Sequence, residues 1–222
     1  MHRVSGSRGV GRAVLVAVSA AVIAVAPACR PRPAVPPAAR HVVLVTIDTL
    51  RADRLGIYGG APGTTPNLDR IAREGAFAAD ATAHVPLTRP SHVTLFTGLL
   101  PWQHGIRDNI SPADLPAAPV LAEAFKKEGF ATGAFVSSIV LSPYGGLGRG
   151  FDVFSDRMPS PPGARFINTL QRRGDETMRE ALGWIEGQHG RGRLFSWIHL
   201  YDPHDPYEPP EPYASSDRKS VV

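Results

Sequence analysis

HVVLVTIDT, residues 41–49, is the stretch from which the fold can be read. Six of its first seven residues are apolar or β-branched, without the apolar–polar alternation of a half-buried strand. A continuous run of this kind reads as a strand covered on both faces, which is the habit of a parallel sheet. The run stops at Asp48. In open α/β sheets the polar residues just past the strand ends line the binding crevice, so Asp48 stands in a functional position.

Downstream, strand and helix signals alternate. Thr65-Pro66 pairs an N-cap with a first-turn proline, and NLDRIARE (67–74) ends at Gly75, which predicts a helix. AFAADATA (76–83) reads as a second, weaker strand. A short helix is expected over 91–100, and VLAEAFKKEG (120–129) reads as another with a glycine stop. FATGAFV (130–136) follows as a strand, whereas GGLGRGFDVFSD (145–156) and MPSPPGARF (158–166) look loop-rich. Residues 175–188 place Met178, Leu182 and Ile185 on one helical face. RLFSWIHL (193–200) is a further strand and runs into YDPHDPYEPPEPY (201–213), too rich in proline for regular structure. There is no internal repeat. The order predicts an α/β domain with a largely parallel sheet and helices on both faces. It sets Asp48, Asp202 and His204 just beyond strand ends.

Upstream, the first forty residues have a different character. They hold six arginines and no acid, and the basic start leads into AVLVAVSAAVIAV (13–25), the length of a signal-peptide core and short for a membrane span. Ala26-Pro27-Ala28 then precede Cys29, the single cysteine of the 222 residues. Small residues before a lone cysteine resemble a lipoprotein cleavage site. The expectation is a signal peptide over 1–28, acylation of Cys29, and a proline-rich tether over 29–40. A plain secretory signal and an uncleaved anchor are the competing readings. The protein would then be exported to the cell envelope and lipid-anchored, periplasmic or on the outer surface. The net charge of +4 belongs to this leader. Beyond it 18 basic residues face 20 acidic ones, which excludes a nucleic-acid partner.

Three groups of residues carry chemistry. Asp48, flanked by Thr49, suits a hard divalent cation, or else an Asx-turn. Thr88, in PLTRPSHVTLFTG (86–98), stands ahead of a helix whose positive end favours an alkoxide or a bound oxyanion. The bland reading makes Thr88 a helix cap, a role Ser91 fills equally well. His104 and His204 lie in loops crowded with turn residues, where histidine is solvated or functional.

Taken in order, IDTLRADRLGIYG, TTPNLDRIAREG, PLTRPSHVTLFTGLLPWQHGIRDN, GFDVFSD and HLYDPHDPYEPP resemble the N-terminal part of the sulfatase family, within the alkaline-phosphatase superfamily. The likeness runs from about His41 to Tyr213. It implies an alkaline-phosphatase-like fold over 41–222, with Asp48 binding metal, Thr88 at the nucleophile position and His204 touching the anionic group of an ester substrate. His92 and His104 are weaker candidates for the site wall, and Thr49 for the metal. The implied cation is Ca2+ in a sulfatase, Zn2+ or Mn2+ in a phosphoesterase.

The departures are specific. Thr88 replaces the Cys or Ser that sulfatases mature to formylglycine, and His92 stands at the arginine of that motif. Asp48-Thr49 replaces a pair of acids, and Ser137 and Ser138 replace a lysine–histidine block. The later Asp-Asn/His-Gly metal motif has no counterpart: the single Asp-Asn pair, Asp108-Asn109, precedes Ile110. The expectation is therefore the N-terminal, truncated portion of a sulfate or phosphate ester hydrolase. The alternatives are a phosphodiesterase, phosphonate hydrolase or phosphoglycerol-transferase-like enzyme using Thr88, and a non-catalytic surface-anchored domain.

Overall fold

The computed structural model describes residues 41–159 and 170–217. The expected leader, Cys29 and the tether lie outside the described residues, as does most of the 158–166 loop. Four parallel strands form the sheet: β1 (His41–Ile47), β2 (Ala131–Val136), β3 (Val153–Ser155) and β4 (Leu194–Leu200). Their order is β1-β4-β2-β3. His41 pairs with Leu194 and Ile47 with Leu200, and the amide of Asp48 extends the ladder to the Leu200 carbonyl. Ala131 to Val136 register against Leu194 to His199 on the other side of β4. The residues that follow β1, β2 and β4 consequently emerge together at one end of the sheet.

Among the described residues six α-helices accompany the strands: α1 (Pro66–Glu74), α2 (Thr88–Thr97), α3 (Pro101–His104), α4 (Leu121–Lys127), α5 (Gly174–Gly187) and α6 (Tyr213–Asp217). Among the described residues none is long and apolar enough to cross a membrane. The helices divide between the two faces because successive strand residues point opposite ways. Val42, Leu44, Ala134, Val136, Phe195 and Trp197 meet Val93 and Phe96 of α2 and Phe125 of α4 in the larger core. Phe125 stacks on Phe195 at 4.3 Å, and Phe96 meets Trp197 edge-on at 4.6 Å. On the opposite face Phe135, Ile198 and Leu200 pack under Met178, Ala181, Trp184 and Ile185 of α5. The close seat of α5 depends on Gly133, where an added Cβ would lie 3.0 Å from the Trp184 ring.

Several expectations need correction. The strand read as covered on both faces is the end of the described sheet. Val43 and Val45 are about half exposed, at 49% and 47%, since the α5 cluster holds residues of β2 and β4 but none of β1. AFAADATA forms no strand and is exposed throughout, its small alanines offering little area to bury. Leu182 is exposed, and the smaller Ala181 takes its place against the sheet. The loop over 145–156 carries the short strand β3.

Candidate active site

The α2 helix starts three residues earlier than its sequence predicts. Leu87 holds the N-cap position without a side-chain bond, and Thr88 is the first helical residue. Neither Thr88 nor Ser91 therefore caps the helix through its hydroxyl. Thr88 Oγ1 donates instead to Asp48 Oδ2 at 2.9 Å. The helix end offers few free amides: Arg89 N–H donates to Asn109 Oδ1, and Pro90 has none.

One turn on, His92 braces the Thr88 backbone. Its Nδ1 donates to the Thr88 carbonyl at 2.7 Å, which leaves Nε2 to accept from Thr46 Oγ1 at 3.1 Å. Thr46 Oγ1 in turn accepts from Trp197 Nε1 at 3.1 Å. Burial first, then the nearby His199, push the His92 pKa down to about 4, so the ring is neutral at pH 7. His92 is a neutral strut within the cavity wall.

Asp48 has a second partner. His199, wholly buried near the end of β4, points Nε2 at Asp48 Oδ2 across 3.3 Å. Its Nδ1 is buried without a hydrogen-bond partner among the described residues. Burial opposes the charge on Asp48, yet hydrogen bonds from His199 and Thr88 hold its carboxyl below the usual carboxylate range. Thr49 beside it takes a left-handed backbone, φ 51°, unusual for a β-branched residue.

The loop after β4 completes the wall. Tyr201 is buried and its ring stacks on His204 at 4.2 Å and 16°. Burial and the charge of Asp48 push the Tyr201 hydroxyl up to about 12, against a hydrogen bond with Ser138, so it stays protonated. His204 Nδ1 donates to the Asp205 carbonyl at 2.7 Å, which leaves Nε2 for another partner. A cavity of about 470 Å³ is lined by Asp48, Thr49, Thr88, His92, Asn109 and His204 among others. Asp48, Thr88 and His204, 40 to 156 positions apart in the sequence, thus meet at one opening.

His104 does not join them. Its Nδ1 accepts from the Ile106 amide and its Nε2 donates to Thr94 Oγ1 at 3.1 Å, tying α2 to the turn after α3. Burial depresses its pKa. Sequence reasoning missed three contributors: His199, Arg89 and Asn109. A histidine inside the otherwise apolar LFSWIHL was the available signal for the first. Arg89, one residue after Thr88, turns away to donate to the Ser111 and Ala113 carbonyls and so fixes the loop bearing Asn109.

The oxygen donors of Asp48 and Thr88 suit a hard divalent cation. Among the described residues no group of three His, Cys, Asp or Glu side chains converges to hold one.

A family model described as Sulfatase matches residues 40–221. The chain belongs to the sulfatase family. This sulfatase-family chain is 35% identical over 133 residues to a steryl-sulfatase of Mus musculus, covering 54% of the chain and 21% of that relative. It is 37% identical over 98 residues to an arylsulfatase A of Bos taurus, covering 42% and 19%. It thus spans about a fifth of the length of these curated relatives. Among solved structures it resembles a phosphonate monoester hydrolase of Agrobacterium radiobacter, with a TM-score of 0.62 at 22% identity, covering 80% of the chain and 44% of that structure. At that identity the likeness shows the shared fold alone, the parallel sheet between its two helical layers.

Proposed function

We propose that this chain carries the nucleophile half of a hydrolase for sulfate or phosphate esters, with Thr88 as the attacking group. The supporting observation is the 2.9 Å hydrogen bond that aims the Thr88 hydroxyl proton at Asp48 Oδ2, inside a cavity shared with His204. An alcohol is a weak nucleophile until a base or cation withdraws its proton. In this reading the Thr88 proton passes to Asp48 Oδ2 as Oγ1 bonds to phosphorus or sulfur, in line with the departing ester oxygen. His204 binds a non-bridging oxygen through Nε2, and His199 keeps the Asp48 carboxylate turned toward Thr88. A divalent cation held in part by Asp48 would supply Lewis-acid neutralisation of the ester oxygens. Asp48 passes that proton to the departing oxygen, and water then cleaves the Thr88 ester, restoring the hydroxyl and releasing sulfate or phosphate.

Thr88 favours phosphoryl over sulfuryl transfer, because a threonine cannot mature to formylglycine. Calcium fits the sulfate reading, and zinc or manganese the phosphate one. The test is turnover of an aryl sulfate against an aryl phosphodiester with each cation supplied in turn, and Thr88→Ala as the control. Preference for the sulfate ester with Thr88 unmodified by mass spectrometry would overturn the phosphoryl assignment. Oxyanion binding without turnover under any cation would leave the non-catalytic binding domain as the better reading.

We further propose export and lipid anchoring: a signal peptide over 1–28, an acylated Cys29 and a tether over 29–40. The support is the sequence pattern alone. Palmitate labelling that persists in Cys29→Ser would refute it.

A further inference from the structure

We propose that Asp202 is the positioning residue for His204, acting through the first amide of α5. The inference rests on the assignment of His204 to the anionic group. Two residues before that histidine, Asp202 turns toward the opposite side of the loop. Its Oδ1 accepts from the Gly174 amide at 3.1 Å, where the fourteen-residue α5 begins. The acidic residue that sequence placed beside the crevice is thereby committed to a helix end.

The contact is built for a carboxylate and for nothing larger than glycine beneath it. A Cβ at Gly174 would stand 2.2 Å from Asp202 Oδ2 and 3.0 Å from its Cγ. The amide belongs to the positive end of α5, and Arg173 next to it feels the charge of Asp202. The anchor is rigid. Arg172, buried just ahead of α5, donates from Nε to Thr177 Oγ1, from Nη1 to Glu180 Oε2 and Ser155 Oγ, and from Nη2 to the Val136 carbonyl. Helix and sheet are thus fastened together at this corner.

Two further contacts carry that rigidity to the histidine. The His204 amide closes a turn on the Tyr201 carbonyl at 2.9 Å, and its ring lies flat on the Tyr201 ring. Tyr201 is itself held by Ser138 at the end of β2. With Tyr201 and Asp202 both fastened, the His204 ring is held by its stack on Tyr201 and by its Nδ1 bond to the Asp205 carbonyl, which leaves Nε2 without a partner among the described residues. Pre-orienting a contact in this way removes its ordering cost on binding.

The test uses the whole chain with inorganic phosphate as the probe, reading the His204 ring protons by NMR. Stacking on Tyr201 shifts those protons from their free-histidine positions. Asp202→Ala should return them toward those positions and weaken phosphate binding about five- to tenfold, the equivalent of one such hydrogen bond. Asp202→Asn, whose amide oxygen still accepts from Gly174, should restore both signals. Gly174→Ala, which displaces the carboxylate sterically, should reproduce Asp202→Ala. Unchanged ring shifts in Asp202→Ala would overturn the proposal, as would an Asp202→Asn variant as impaired as Asp202→Ala. If the unsubstituted chain binds no phosphate, the anion assignment of His204 fails, while the ring shifts still report whether Asp202 orients it.

Discussion

His92 shows how one residue's surroundings set its behaviour. Both its nitrogens are used in the neutral form, and a proton on Nε2 would meet the hydrogen that Thr46 donates there, forcing that hydroxyl to turn. The folded pKa of about 4 lies below the unfolded value of 6.5, so between those pH values the unfolded chain binds the extra proton. Stability accordingly rises with pH across that window and is lost as pH falls through it, by up to about 3 kcal/mol below pH 4. Urea denaturation at pH 7 and pH 5 in metal-free buffer measures the loss. His92→Asn, which keeps a donor near the Nδ1 position, should flatten the slope. Thr49 offers a simpler case. Its left-handed backbone costs a β-branched residue about 1 kcal/mol that asparagine largely avoids. Thr49→Asn should therefore raise the denaturation midpoint, and an unchanged or lower midpoint would show that Thr49 is not strained.

At the scale of elements, β1, β2 and β4 were legible as runs rich in apolar and β-branched residues, and α1 and α4 because glycine stops them, whereas the short β3 was hidden in a glycine-rich stretch. The α2 helix was expected from Ser91, yet it starts at Thr88. Pro90 is the third helical residue, within the first turn, where no amide has an intrahelical partner and proline costs little. Hence Thr88 lies inside the helix, with its hydroxyl turned to Asp48. His199 was hidden for a related reason: only the β1–β4 register, which sets it opposite Thr46, reveals that it reaches Asp48. Sequence placed Asp48, Thr88 and His204 at strand and helix ends, but their convergence depends on strand order, which no local pattern encodes. The fit of α5 on the sheet gives a prediction at this scale. Gly133→Ala would press a methyl against Trp184 at 3.0 Å and Phe135 at 3.1 Å, with little room for either ring to yield. The expected cost is about 1–3 kcal/mol, read as a lower urea midpoint.

For the whole molecule, the uncovered flank of β1 is the dominant feature. Val43 and Val45 present half-exposed apolar side chains on the strand that ends the described sheet. A strand edge of this composition invites pairing with another chain. Sedimentation should therefore show association that grows with protein concentration, and Val45→Lys should suppress it. A monomer at all concentrations would indicate that the flank is protected in solution.

The run of hydrogen bonds from Trp197 through Thr46 and His92 to the Thr88 carbonyl has a single sense, each group passing its hydrogen to the next. Its first member is a fully buried indole. Light absorbed in the core therefore reports on the residue at the cavity mouth. Protonating His92 forces Thr46 to turn its hydroxyl, and the indole N–H then meets a differently oriented oxygen. Acidification should alter Trp197 emission before the chain unfolds, and replacing Trp102 and Trp184 with phenylalanine would isolate that signal. A residue chosen by packing thus doubles as a built-in optical gauge of the proposed nucleophile's support.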